Sequence, residues 1–353
     1  MRTFGVIALV LLAVFTVSLF TGHAFQFAPE LIGSNRTDDL KAGHDKQQEM
    51  GTPETETADS LSDSGSASEE TGYSEQPSQQ PVEETASSAV KPLPIDFSPG
   101  MPPDPKGYVS DTEYIDPSIH VKLNKDKING VDIWIADIEI ADASQLRTAA
   151  ADGFDSKMVM PGLRLAERMN AVLATEGDYF CYTGKGLIVR QGKKYLDRLK
   201  SRDVLVVDED GDFYGFEDPP AGSIGDTING KKIINAFFFG PLLVNNGEVR
   251  RGGYANGMAP SVRCQRMALA QTGHLKYRVI VCGPNKRGSI GMTIEEFRNF
   301  VASMPDVKVA YNMDGGDSTM IMFNGQKLND PDNPDTREIA DIVYFASAYT
   351  GES

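Results

Sequence analysis

Three of the chain's Asn-Gly pairs, Asn129-Gly130, Asn246-Gly247 and Asn324-Gly325, constrain the fold of these 353 residues more than any other feature. Asn and Gly tolerate the left-handed backbone that a tight hairpin turn needs, so each pair marks a point where a strand reverses. The flanking residues agree. Ile119, Val121 and Leu123 alternate with polar residues before the first pair, and Val131, Ile133 and Ile135 do so after it. A period of two places such side chains on one face of a strand. Further hairpins are predicted over 187–196 around Gln191-Gly192-Lys193, over 203–216 around Glu209-Asp210-Gly211, and over 267–282 around Thr272-Gly273.

Helical spacing appears in two places. Leu163, Ala166 and Met169 share one face of a helix that runs into a short strand at 172–174. Thr293 with Glu296 three residues on is a capping-box signature, and Ile294, Phe297, Phe300 and Val301 give the following helix an apolar face. Strand 277–282, helix 293–304 and strand 307–311 read as a βαβ unit with parallel strands and a right-handed crossover. The expected fold class is therefore α+β: a mixed β-sheet with hairpins and at least one βαβ unit, helices packed on the sheet, in a single globular domain.

Composition sets where that domain begins. Between residues 37 and 101 the chain is Ser, Thr, Glu, Gln, Gly and Pro with few apolar side chains, too little to offset the entropy of ordering. An apolar run at 4–20 follows Arg2 and reads as a signal peptide or a membrane anchor. The chain thus divides into a leader or anchor at 1–27, an acidic low-complexity linker at 28–107, and a domain at 108–353. The expected location is extracytoplasmic, at the membrane if the leader is an uncleaved anchor and secreted if it is cleaved. The net charge is −16; residues 1–36 contribute +1 and residues 37–96 contribute −11, which leaves −6 for residues 97–353. An acidic body without a basic cluster argues against nucleic acid as a partner. Three cysteines, Cys181, Cys264 and Cys282, fit no metal spacing and no disulfide framework.

The candidate site is the stretch Asn312-Met313-Asp314-Gly315-Gly316-Asp317-Ser318-Thr319. Two acids and a Gly-Gly pair stand between apolar runs that read as strands. Taken alone this could be a tight loop with solvated acids. Placed at the carboxyl end of a strand in a βαβ unit, it sits where ligands gather in such folds. A second acid-glycine strand end occurs at Glu176-Gly177-Asp178-Tyr179. No G-x-S-x-G, P-loop or H-E-x-x-H is present, and the body holds only His120 and His274. What remains is acids and arginines. Paired carboxyls suit glycoside cleavage, and Arg263, Arg266 and Arg337 suit an anionic group such as phosphate. Together they point to a substrate with both a sugar and a phosphate.

Residues 174–180, 239–244, 266–269, 312–320 and 337–343 fall in the order seen in the phosphodiester glycosidase family, which this chain resembles from residue 108 onward. Asn-hydrophobic-Asp-Gly-Gly-x-Ser at 312–318 is the most specific of these motifs. Bacterial members of the family resemble this chain in organisation and are often associated with exopolysaccharide. The chain departs from the family pattern at Glu176 in place of Asn, at Gln265 in place of the Pro before Arg266, at Cys282-Gly283-Pro284 in place of Asp-Gly-Arg, and at Asp317 in place of a third glycine. The resemblance implies a hydrolase that cleaves a sugar–phosphate diester at the anomeric carbon, in cell-surface or exopolysaccharide glycan processing. It implies Asp314, Asp178 and Arg266 as catalytic residues. Gly177, Tyr179, Gly315, Gly316, Asp317, Ser318, Arg263 and Arg337 would contact substrate, with the Gly315-Gly316 backbone against the sugar or phosphate. No cofactor is implied. Two other readings are a cell-wall glycan-binding module without activity, and a metal-dependent phosphodiesterase with Asp178, Asp314 and Asp317 as hard oxygen ligands for a divalent cation.

Overall fold

Alternating apolar runs build three β-sheets here. The computed structural model describes residues 89–252, 260–283, 291–329 and 337–351, all within one compact unit, Gln76–Ser353. The leader or anchor at 1–27 and most of the linker lie outside the described residues, as does Pro284. Among the described residues no helix is long and apolar enough to cross a membrane.

The largest sheet has nine strands. Its central members are Ile119–Ile128, Val131–Ile140, Lys276–Cys282, Arg266–Gly273, Val309–Asn312 and Leu242–Asn245, in that order. A five-stranded sheet has the order Gln326–Lys327, Ile321–Phe323, Ala171–Glu176, Asp341–Ala346, Leu146–Ala150. In the third sheet, Phe213–Phe216, Val204–Asp208, Lys231–Phe237, Gly186–Arg190 and Lys193–Arg198 follow one another. All the hairpins expected from the sequence form, including the turns at Asn129-Gly130, Asn246-Gly247 and Asn324-Gly325, whose residues all have positive φ.

The βαβ expectation needs correction. Strands Lys276–Cys282 and Val309–Asn312 each pair antiparallel with Arg266–Gly273, which lies between them. They run parallel to each other, as the helical connection requires, but they are not neighbours. Every strand ladder among the described residues is antiparallel, so the protein is sheet-dominated and its sheets are not mixed. The physical reason is that alternation fixes which face a strand buries and not which strand it pairs with. Helix Ile294–Ala302 packs on Leu242–Asn245 and Glu248–Val249, and its Phe297 and Val301 share a core with Ala268 and Ala270. The capping box at Thr293 and Glu296 starts that helix as expected.

Alternation fixes how the sheets stack. Ile321, Phe323, Val343 and Phe345 face inward and meet Met267, Leu269 and Tyr311 of the nine-stranded sheet and Leu205, Val207 and Phe237 of the third. Their sequence neighbours Met320, Met322, Ile342 and Tyr344 face the other way, onto Leu165 and Ala166 of helix Gly162–Arg168. The three sheets thus share one core, and the helices cover outer faces.

Residues 89–107 correct the linker boundary: they pack on the domain. Met101 donates its N–H to Ser347 O at 3.1 Å, and Leu93 donates to Ser144 Oγ at 2.8 Å. The grip comes from Arg147, which is fully buried. Its Nε donates to Tyr344 Oη at 3.1 Å, Nη1 to Pro94 O and Ser144 O at 2.9 and 3.1 Å, and Nη2 to Asp96 O and Ser98 O at 2.9 and 3.0 Å. Those bonds use all five guanidinium donors. A backbone strap is therefore clamped by one arginine, with Asp96 and Ser98 held on either side of Phe97.

Candidate active site

The three sheets meet where Ala171–Glu176 ends. Because Asp341–Ala346 pairs antiparallel with that strand, its first residue lies beside the strand's last, with Ile342 opposite Glu176. Asp341 therefore stands against the Gly177-Asp178 turn, and Gly177 donates its N–H to Asp341 O at 3.0 Å. Gly177 must be glycine here: a Cβ would fall about 2.0 Å from Asp341 Oδ2. The stretch 313–319 joins the nine-stranded sheet to the five-stranded one, and Asp314 N approaches Gly177 O at 3.4 Å. Arg190, at the end of Gly186–Arg190, enters from the third sheet.

Burial governs the chemistry. Arg190 and Asp178 are both 0% exposed and form an ion pair, with Nη2 2.8 Å from Asp178 Oδ1 on a line too oblique for a hydrogen bond. Asp341 Oδ2 is 3.8 Å from the same nitrogen. Asp178 Oδ2 accepts from Phe238 N at 3.2 Å. The guanidinium lies over Phe237 at 4.4 Å and Phe154 at 5.3 Å. One buried cation therefore faces two buried carboxyls, while Glu176 and Asp314 stand close by. Burial raises the proton affinity of Asp341, and the neighbouring Asp178 adds to this against the opposing pull of Arg190. Burial likewise pushes Glu176 well up, opposed by the Met320 N–H on its Oε2 at 2.9 Å. Glu176 Oε1 and Asp341 Oδ2 have no hydrogen-bond partner among the described residues. Asp314 is pushed up to about 6 by burial, with Gly315 N–H at 2.8 Å, Ser318 and Arg337 pulling the other way.

These groups line a narrow cleft with an accessible volume of about 10 Å³, room for roughly one water molecule. Glu176, Asp314 and Asp341 face it, with Ser318, Arg337 and Tyr179 around them. Arg337 is exposed and makes no hydrogen bond or ion pair among the described residues, yet its charge reaches Asp314. Tyr179, with φ 64°, stacks on Tyr182 at 4.4 Å, and both rings border the cleft.

Of the residues singled out in the sequence, Gly177, Tyr179, Asp314, Ser318 and Arg337 meet at this cleft. Asp178 lies behind it, buried against Arg190. The others stand elsewhere for identifiable reasons. Arg266 donates to Met292 O at 3.2 Å and Val262 O at 2.9 Å, so its guanidinium braces a loop. Arg263 pairs with Glu296 and donates to Gly291 O. The Gly315-Gly316 backbone presses on the chain, since a Cβ on Gly315 would be 2.8 Å from Gln265 O, and Gly316 N donates to that oxygen at 2.9 Å. Asp317 is exposed and does not border the cleft. Asp178, Asp314 and Asp317 therefore share no cavity, and no three His, Cys, Asp or Glu among the described residues are arranged to hold a metal ion. All three cysteines are free thiols. Asp341, Arg190 and Tyr182 were not anticipated. The available signal was a charged residue at the end of a fully buried strand, as in Leu187-Ile188-Val189-Arg190 and Asp341-Ile342-Val343.

Comparison with known proteins bears on this geometry. No curated protein matches the chain. The catalytic domain of zebrafish N-acetylglucosamine-1-phosphodiester alpha-N-acetylglucosaminidase, auto-inhibited by its pro-peptide, has a similar fold: TM-score 0.51 at 17% identity, over 74% of this chain and 99% of that one. Two weaker likenesses are a hypothetical protein from Synechocystis (TM-score 0.43, 15% identity, 64% of this chain) and an exported protein from Burkholderia pseudomallei (0.43, 12%, 62% of this chain and 74% of that one). The chain spans 62% of the Synechocystis protein, less than two thirds of its length. The sequence profile of the phosphodiester glycosidase family matches residues 169–346, just over half the chain and the part that contains every side chain of the cleft. The protein belongs to the phosphodiester glycosidase family.

Proposed function

We propose that the protein hydrolyses a sugar–phosphate diester by breaking the bond between the anomeric carbon and the phosphate oxygen. The observation that carries this reading is the cleft, where carboxyls with unequal proton affinities lie beside the Arg337 guanidinium, which has no partner among the described residues. Such a separation of affinities is how one site holds both an acid and a base. Asp314, at about 6, is ionised near neutrality and takes the proton of the attacking water. Asp341, held higher, keeps its proton and delivers it to the departing phosphate oxygen. The water oxygen bonds to the anomeric carbon as the carbon–oxygen bond to phosphate breaks. Arg337 binds the phosphate and stabilises charge on the leaving group. Asp178 and Arg190 position Asp341, and Arg266 braces the loop against which Gly315 packs. The name of the zebrafish neighbour supports a phosphate-linked sugar as substrate. The apolar amino terminus and acidic linker support a cell-surface or exopolysaccharide glycan outside the cytoplasm as its source.

The tests are kinetic, on a chromogenic monosaccharide 1-(4-nitrophenyl) phosphate diester. The rate constant kcat/KM should rise with pH through about 6 as Asp314 ionises, then fall at higher pH as Asp341 loses its proton. A profile flat across that range would remove both assignments. Arg337→Ala should lower kcat/KM by about 10- to 100-fold, the worth of one charge-assisted bond, with KM raised by the lost phosphate contact and kcat lowered by the lost leaving-group stabilisation. Tight binding without product would favour the glycan-binding module, and loss of activity to a chelator the metal phosphodiesterase.

A further inference from the structure

A second pocket, of about 430 Å³, lies outside the cleft and has a size typical of ligand sites. Three aromatic rings form its bowl. Phe97 and Phe154 are 5.6 Å apart between centroids, Phe154 and Tyr195 5.6 Å, and Phe97 and Tyr195 6.5 Å. Asp152 and Arg168 stand at its edge, and the small residues 149–151 leave it open.

Two features separate this bowl from ordinary packing. Phe97 is 40% exposed, which is costly for a phenyl ring, yet it is among the most firmly held positions in the strap. Arg147 grips the carbonyls on both sides of it, Asp96 O and Ser98 O, and Gln191 Nε2 donates to Asp96 O at 3.1 Å. A rigidly held, exposed ring is pre-organised for a ligand. The second feature is proximity to the cleft. Ala151 of the bowl donates its N–H to Ala340 O of the cleft at 2.8 Å. Phe154 lines the bowl and also lies against the Arg190 guanidinium.

The occupant must offer a flat apolar face to the rings and a polar group to Asp152, since Arg168 already donates to Ala150 O at 2.8 Å and Ala151 O at 3.2 Å. A pyranose ring does both. An alkyl chain has nothing for the Asp152 carboxylate, which accepts only from Ser156 Oγ at 3.1 Å among the described residues. We infer that the Phe97–Phe154–Tyr195 bowl is a second carbohydrate subsite, which takes a sugar ring of the glycan that carries the scissile phosphodiester. This rests on the sugar–phosphate reading above for its substrate, but not for its geometry.

The experiment compares two substrates, the monosaccharide diester and the same diester extended to a tetrasaccharide, with wild type, Phe97→Ala, Phe97→Leu and Tyr195→Ala. The monosaccharide diester should be turned over equally by all four. For the extended diester, Phe97→Ala and Tyr195→Ala should raise KM at least tenfold. Phe97→Leu should behave like Phe97→Ala, since it keeps apolar bulk but loses the ring face; recovery by Leu would mean packing alone and would overturn the inference. Direct binding of neutral tetrasaccharides of glucose, mannose and N-acetylglucosamine, followed by calorimetry, separates the subsite from catalysis. Binding of at least one of them that Phe97→Ala abolishes supports the subsite even if neither diester is hydrolysed. Hydrolysis of both diesters with equal KM in every variant overturns it and leaves the cleft reading intact. Binding of dodecanoate but of no saccharide overturns it in favour of an apolar ligand.

Discussion

Asp314→Asn is expected to lower kcat on a sugar–phosphate diester by about 10³-fold, the usual worth of a positioned base, and to raise the melting temperature at pH 8. The two effects have one cause. The Asp314 carboxyl is partly exposed to the cleft but otherwise enclosed, which moves its pKa from 3.8 to about 6. A carboxyl raised in the folded state stabilises the fold fully only below its unfolded value, near 4. That contribution is lost as pH rises through 6, and at pH 8 the ionised group costs about 3 kcal/mol. Asparagine keeps an acceptor for Gly315 N–H and carries no charge, so this cost disappears. For a domain of this size the gain should appear as several degrees in Tm at pH 8 and vanish near pH 4. A variant that is inactive but no more stable at pH 8 would contradict the ionised, enclosed carboxylate.

Arg190→Met, behind the cleft, should produce the largest loss of stability of any single change around the site. Asp178 and Asp341 are buried with this guanidinium as their shared cation, and Glu176 and Asp314 add further acid close by. Removing one partner of a buried pair leaves an uncompensated charge and costs about 3 to 5 kcal/mol. Tm should fall by roughly 10 °C or more. Methionine fills similar volume between Phe154 and Phe237, so a lost cavity is not the cause. Adding Asp178→Asn to the variant removes the stranded charge and should restore part of the loss. Independent, additive effects of the two substitutions would mean that the pair is not coupled.

Much of the fold was legible because it is local. A period of two and an Asn-Gly turn each name a hairpin without reference to the rest of the chain. The capping box at Thr293 named its helix in the same way. The order of strands in a sheet is not local. Nothing in the 277–282 or 307–311 runs says that Arg266–Gly273 inserts between them, since alternation fixes a face and not a neighbour. The strap at 89–107 was hidden for another reason. It is held by its backbone carbonyls on Arg147, and carbonyls leave no trace in composition.

The candidate site divides along the same line. Asp314 and Gly177 were found because an acid beside a glycine at a strand end stands out in the sequence and matches the family motif, and Arg337 because an arginine suits an anionic group. Arg263 and Arg266 carry the same chemistry but meet Glu296 and two carbonyls, which spacing cannot foretell. Asp341 and Arg190 were passed over because an acid or a base at the end of an apolar run reads as the strand's edge. In the structure those edges converge.

The bond that breaks tests the account most directly. Hydrolysis of a sugar 1-phosphate diester in water enriched in oxygen-18 separates the two chemistries by mass spectrometry of the released phosphate monoester. Attack at the anomeric carbon, with Asp314 as base, leaves the monoester unlabelled and puts the heavy oxygen on the sugar. Heavy oxygen in the phosphate monoester would show attack at phosphorus and contradict the glycosidase reading.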